Sequence, residues 1–381
     1  MRTPTTQAKT VRVYRCQLPL STPYQLSSVL GELTYTEPVI VEIETTDGHR
    51  GYGETDPFVP FTQQSARSVT TLLDEFLGDA LAGVDVTNPN QLHHRLDAVF
   101  GPNNHLVKSA IDMACYDLLG TVTGRPTSDF LGGRVHDEID VLQPIGNVPA
   151  DECARKTRAL EADGFTTFML KTGYFSTDED LERLRAIRDA TGDETDIIVD
   201  ANQGWDVRTA IDFAERAVDY DVAFLEQPVP ADDIDGLSRV REASPIPVSA
   251  DESLFSVRDA RTLIEADAVD IFSVKVAKHG GLHEAKRIVD LAEAFGVSCY
   301  MNSMIEAGFT QAASLQLGAS TSSLVDVGHA YMSPLRLGET LTDFDQQISG
   351  GSITPRDAPG LGVSPTTDLS SFAQEVFEIE I

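Results

Sequence analysis

Ile197-Ile198-Val199-Asp200-Ala201-Asn202 is a short apolar run that stops on a charge, and the chain repeats that pattern. Phe224-Leu225 runs into Glu226-Gln227-Pro228, Val248-Ser249-Ala250 into Asp251-Glu252-Ser253, and Ile271-Phe272-Ser273-Val274 into Lys275. Upstream, Thr167-Phe168-Met169-Leu170 ends on Lys171. The charges at 171, 200, 226, 251 and 275 lie 29, 26, 25 and 24 residues apart. A strand, a helix and two loops take about that many residues, since a β/α barrel spends roughly 250 residues on eight such units. The spacing predicts five successive parallel strands. Their C-terminal ends, where that fold puts its chemistry, would carry three carboxylates between two amines.

The rhythm extends in both directions. Strands are predicted at 141–145, 166–170, 196–199, 223–225, 248–250, 269–274, 297–301 and 323–327, with helical periodicity between them. Before residue 139 the order changes to strands followed by helices, an α+β pattern. One strand is expected over 10–18, closed by Pro19. A hairpin follows, from 38–45 through Thr46-Asp47-Gly48 into Gly51-Tyr52-Gly53-Glu54, and then helices to Gly120. Loops at 21–30 and 55–62 carry Tyr24, Phe58 and Phe61, as a lid over a site or as small folding clusters. After Leu337 the pattern stops, and a last strand at 376–381 is expected to return to the N-terminal part. The organisation read from this is an α+β domain (1–138), a barrel (139–338) and a returning tail (339–381), with the site between the two domains.

The 381 residues are 41% hydrophobic and carry a formal charge of −31, spread along the chain. Such a surface repels nucleic acid and anionic membranes, which excludes both as expected partners, and it fits adaptation to high salt. No run of about 18 apolar residues is present and the first residues lack a signal-peptide core, so a cytoplasmic protein is expected. The four cysteines have no C-x-x-C spacing, which argues against zinc. Lysine is scarce, seven against 22 arginines, yet one closes each of two predicted strands. Arginine supplies charge equally well but cannot be deprotonated; a buried lysine can act as a base.

Asp200, Glu226 and Asp251 are hard oxygen donors with no His or Cys in their motifs, a set that suits Mg²⁺, with Mn²⁺ as the alternative. Any one of them alone reads as a helix N-cap; three at barrel rhythm between two lysines read as a metal site. These motifs resemble the enolase superfamily. So do Lys275-x-x-Lys278-x-Gly280-Gly281, Gly51-Tyr52-Gly53-Glu54, the segment 110–118, Leu131-Gly132-Gly133 and Pro359-Gly360-Leu361-Gly362. The resemblance implies an α/β fold, a modified (β/α)₇β TIM barrel under an α+β capping domain that the C-terminal tail completes. The seventh predicted strand ends in Met301-Asn302-Ser303, without the His of mandelate-racemase-like members. Lysines on the second and sixth strands and Glu306 look like the muconate-lactonizing subgroup. One departure is Met169, where that subgroup usually has the first Lys of Lys-x-Lys.

The resemblance implies an isomerase: a racemase, epimerase or cycloisomerase acting on a small carboxylate; a homo-oligomer is expected. Lys171 and Lys275 would exchange a proton with the α-carbon while the ion stabilises the enediolate. Lys171 would need a pKa lowered by burial and nearby cations. A dehydratase using the same base and a non-catalytic carboxylate-binding barrel are the alternatives. Tyr24, Phe58, Asn202, Glu306 and His329 are the expected substrate contacts, with a hydrogen-bonded structural role as the other reading of His329. The Asp-x-Asp pattern of dipeptide-processing members is missing from the eighth-strand segment.

Overall fold

The computed structural model describes residues 6–25 and 31–381. The chain opens with β1 (Ala8–Cys16), β2 (Leu18–Gln25), β3 (Glu32–Thr36), β4 (Val39–Thr45) and β5 (Arg50–Thr55). Val11, Val13, Val39, Val41 and Ile43 point into one core, the alternation of a half-buried sheet. β4 and β5 form the expected hairpin, and β1 pairs antiparallel with β4. Pro19 does not end a strand as expected. β2 runs through it and pairs with β3 in a separate two-stranded ribbon, where an edge position tolerates the missing N–H. The predicted lid loop at 21–30 is therefore strand as far as Gln25, and residues 26–30 lie outside the described residues.

Three helices, α1 (Ala66–Leu81), α2 (Pro89–Phe100) and α3 (His105–Thr123), cover this sheet. α3 lies so close to β5 that a Cβ on Gly53 would stand 2.0 Å from the Ala110 carbonyl oxygen. That approach is the physical content of Gly51-Tyr52-Gly53.

Seven parallel strands follow: β6 (Leu142–Ile145), β7 (Thr167–Lys171), β8 (Asp196–Asp200), β9 (Val222–Glu226), β10 (Val248–Ala250), β11 (Ile271–Val274) and β12 (Ser298–Met301). They hydrogen-bond in sequence order. Between them run α4 (Ala150–Ala162), α5 (Thr177–Thr191), α6 (Val207–Ala217), α7 (Ile234–Ala243), α8 (Val257–Glu265) and α9 (Leu282–Phe295). Ile197, Ile198 and Val199 are fully buried, as a strand covered on both faces requires. Ser176 and Ser256 start α5 and α8 as capping boxes with Glu179 and Asp259.

The predicted eighth strand is not a regular ladder. Val325 N donates to Cys299 O (3.0 Å) on the β12 side, whereas Leu142 N donates to His329 O (2.9 Å) on the β6 side. The two neighbours are met by different residues of one irregular segment, and that segment closes the barrel. α10 (Phe309–Ala319) packs beneath it, and β13 (Ala373–Glu380) returns to pair antiparallel with β1. The result is a modified (β/α)₇β barrel with an α+β cap that the C-terminal strand completes. No helix among the described residues is long and apolar enough to cross a membrane.

Candidate active site

The strand register puts the charges on one level. Lys171 pairs with Asp200, and Asp200 with Glu226, across three adjacent strands. Asp251 follows β10 directly, and Lys275 follows β11. The chain must turn sharply as each strand ends, and Asn202 (φ 41°) and Gln227 (φ 34°) take left-handed conformations there. Gln227 fastens the next loop: its Oε1 accepts from Asp251 N (3.0 Å) and Ser253 N (3.1 Å).

All three carboxylates are buried. Lys171 Nζ donates to Asp200 Oδ2, and Lys275 Nζ to Asp251 Oδ2 at 2.6 Å. Lys278 Nζ donates to Asp251 Oδ1 at 2.6 Å and to the Ser273 carbonyl at 3.1 Å, a supporting position behind the other charges. Glu226 Oε1 accepts from Asn302 Nδ2 (2.6 Å) and Ser273 Oγ (2.8 Å), but its Oε2 is buried with no hydrogen-bond partner. A buried carboxylate oxygen without a partner is costly, and this one lies between two further acids. That donor set fits a hard divalent cation.

Burial, then the charges of Asp200 and Asp251, push Glu226 well above the carboxylate range. Desolvation opposes the charge on Asp251, yet Lys275 and Lys278 prevail and hold it near 2. Lys171 departs from expectation. Desolvation pulls its pKa down, but Asp200, Tyr24 and Glu226 outweigh that and the net shift is upward. The physical reason is the direct contact with Asp200, which favours the ammonium as long as that carboxylate is turned onto it.

A cavity of about 330 Å³ opens above these residues, between the β2–β3 ribbon and the barrel. Lys171, Lys275, Asn202, Tyr24 and Phe58 all line it. Phe61 covers Lys275, whose Nζ is 4.3 Å from the ring centre. Met169 lines the cavity too, an apolar wall where the resemblance led one to look for a cation.

Two expected contacts are not brought to it. Glu306 is buried and committed: it accepts from Met304 N (2.6 Å), Gln311 Nε2 (2.9 Å) and the Ser303 hydroxyl, and so braces the loop after β12. His329 takes the structural reading. Its Nδ1 accepts from Met301 N (2.9 Å), its ring stacks on Tyr300, and burial holds its pKa near 3. Conversely, Asn302 and Arg336 were not singled out from sequence. Asn302 is the polar residue closing an apolar run, the same grammar as Asp200, and a search of that strand end for any polar group finds it. Arg336 lies in an aperiodic stretch with no such signal.

Residues 152–369 match the family model described as enolase C-terminal domain-like, and residues 8–132 that of the mandelate racemase / muconate lactonizing enzyme N-terminal domain. The chain belongs to the enolase superfamily. Within that superfamily it is 32% identical to a D-Ala-D/L-Ala epimerase of Cytophaga hutchinsonii, over 96% of this chain and 98% of that one. It is 29% identical to an N-succinyl-L-Arg/Lys racemase of Bacillus cereus, over 94% and 95%. With a muconate cycloisomerase of Acinetobacter lwoffii it shares 30%, over 93% and 92%. The crystal structure of the Bacillus cereus racemase superposes with a TM-score of 0.93 at 27% identity, covering 99% of this chain and all of that one. This enolase-superfamily chain is thus an isomerase of the racemase, epimerase and cycloisomerase kind.

Proposed function

We propose that the chain is a Mg²⁺-dependent racemase or epimerase of a small carboxylate, an amino acid carrying an acyl group on its nitrogen. The observation that carries this reading is the arrangement of Lys171 and Lys275 on the second and sixth strands of one barrel, both lining the same cavity beside a buried, unpartnered Glu226 oxygen. Asp200, Glu226 and Asp251 would hold the ion, for which Mn²⁺ is an equivalent hard cation. Bound there, it supplies positive charge that neutralises the substrate carboxylate and occupies the aspartates.

The remaining work belongs to the side chains. Lys171 Nζ takes the α-proton, and the electron pair of the broken C–H bond stays on the substrate. Lys275 Nζ, across the barrel, returns a proton to the opposite face of the same carbon, and the centre inverts. Lys278 fixes Asp251, Asn302 fixes Glu226, and Phe58 and Phe61 keep water from the reacting carbon. The acylated nitrogen is supported by the wall at the closing segment of the barrel, where Ala330 and Met332 offer no acid to a free ammonium; the acids of the cavity, Glu32, Glu37 and Asp56, belong to the cap.

The test is to incubate the Mg²⁺-loaded chain with N-acylamino acids, dipeptides and muconate, and to follow both optical activity and product identity. Inversion of N-acylamino acids that chelator abolishes and added Mg²⁺ restores is expected. Lactone from muconate with no inversion of any amino-acid derivative would overturn the reading.

A further inference from the structure

Arg336 is a cavity-lining cation that the proton transfer does not use. Its guanidinium carbon lies 3.7 Å from the centre of the Tyr24 ring, and Tyr24 is also the side chain that the head group interacts with by hydrogen bonding and charge. Among the described residues it pairs with no carboxylate and donates to no carbonyl. Residues 1–5 and 26–30, outside that description, contain no acid at all. In a chain with 60 acidic residues against 29 lysines and arginines, a cation without an acid beside it is conspicuous. It is also costly, because protein surrounds the head group and burial draws its pKa below the ordinary arginine value.

A purely structural role does not account for the charge. The backbone already fastens this segment to the ribbon: Ser21 Oγ donates to Arg336 O (3.1 Å), and Gly338 N to Pro19 O (2.9 Å). An apolar side chain would stack on Tyr24 as well without the burial cost. Arg183 offers a contrast. It is more deeply buried than Arg336, and its guanidinium is consumed by Asp180, Asn147 and three carbonyls. The other cavity cations, Lys171 and Lys275, each face an aspartate.

We infer that Arg336, held flat against Tyr24, receives a second acidic group of the substrate, remote from the carboxylate next to the reacting carbon. The substrate is therefore a dianion. A planar guanidinium that meets no carboxylate or carbonyl among the described residues can match a substrate carboxylate in two-point fashion, which a lysine at the same place does not. This deepens the proposed proton-transfer function and rests on it for the position of the other end of the substrate.

The test compares matched ligands on the Mg²⁺-loaded full chain by calorimetry. N-succinylalanine is set against N-butyrylalanine, and N-acetylglutamate against N-acetylnorvaline, so that each pair differs in the distal carboxylate. Wild type is expected to favour at least one dianion by roughly 10- to 100-fold, the scale of a charge-assisted hydrogen bond. Arg336→Met should bring that ratio close to one, with Arg336→Lys between. Because both ligands of a pair meet the same variant, partial misfolding cancels in the ratio, and Arg336→Gln serves if the Met variant does not fold. Equal affinities within both pairs in wild type, or a preference that survives Arg336→Met, would overturn the inference. Exchange of the α-proton in D₂O, measured alongside, separates the two claims: an Arg336-dependent preference without exchange refutes the proton transfer and leaves the receptor standing.

Discussion

Asp117 shows how much one residue does in this molecule. Its two oxygens accept from Tyr52 N (2.9 Å) of the cap and Leu361 N (2.8 Å) of the tail, and burial outweighs those bonds and raises its pKa to about 7. Unfolded, the same group titrates near 4. Between those values the folded state holds a proton that the unfolded state has lost, so this group's contribution to stability is full below about pH 4 and is lost as pH rises to about 7. Asp117→Asn removes that titration. Denaturant unfolding from pH 4 to 8 should show the stability of wild type relative to the variant falling up to about pH 7 and then levelling; a difference independent of pH would contradict the shift. The three buried acids proposed to hold the ion were legible as strand-end charges in sequence because each terminates an apolar run. Arg336 was not, because the stack on Tyr24 joins residues 312 positions apart through tertiary contact alone.

At the level of elements, the approach of α3 to β5 decides how the cap closes. Gly53→Ala forces a Cβ to 2.0 Å from Ala110 O and 2.6 Å from Ala114 N, both backbone atoms that cannot rotate away. A loss of about 3 kcal/mol or more is expected, the upper end of overpacking costs. Gly78→Ala, inside α1 with its nearest neighbour at 3.7 Å, should instead gain about 0.5–1 kcal/mol from helix propensity. Urea midpoints of the two variants read the opposite signs; equal losses would refute the contrast. The barrel strands were readable because burial on both faces writes them as continuous apolar runs. The ribbon of β2 and β3 was not, because Pro19 reads as a stop unless its edge position is known, and the irregular closing segment has no period to detect.

For the whole molecule, the charge of −31 dominates behaviour in solution. Self-repulsion at that density is screened over about 3 Å at 1 M salt, against about 10 Å at 0.1 M. The thermal midpoint should therefore climb as KCl is raised from 0.1 to 2 M, and a flat or falling curve would contradict adaptation to high salt. The barrel as a whole also carries the central claim, since the proposed two-sided proton transfer requires the fold to set the two lysines on opposite sides of one carbon. The direct measurement is α-proton exchange in D₂O, followed by NMR, starting from each enantiomer of a turned-over N-acylamino acid. Wild type should exchange both. Lys171→Ala should lose exchange from one enantiomer and Lys275→Ala from the other, each by about 10²-fold or more. Exchange that is untouched in both variants, or lost equally from both enantiomers when either lysine alone is removed, would contradict a two-sided proton transfer.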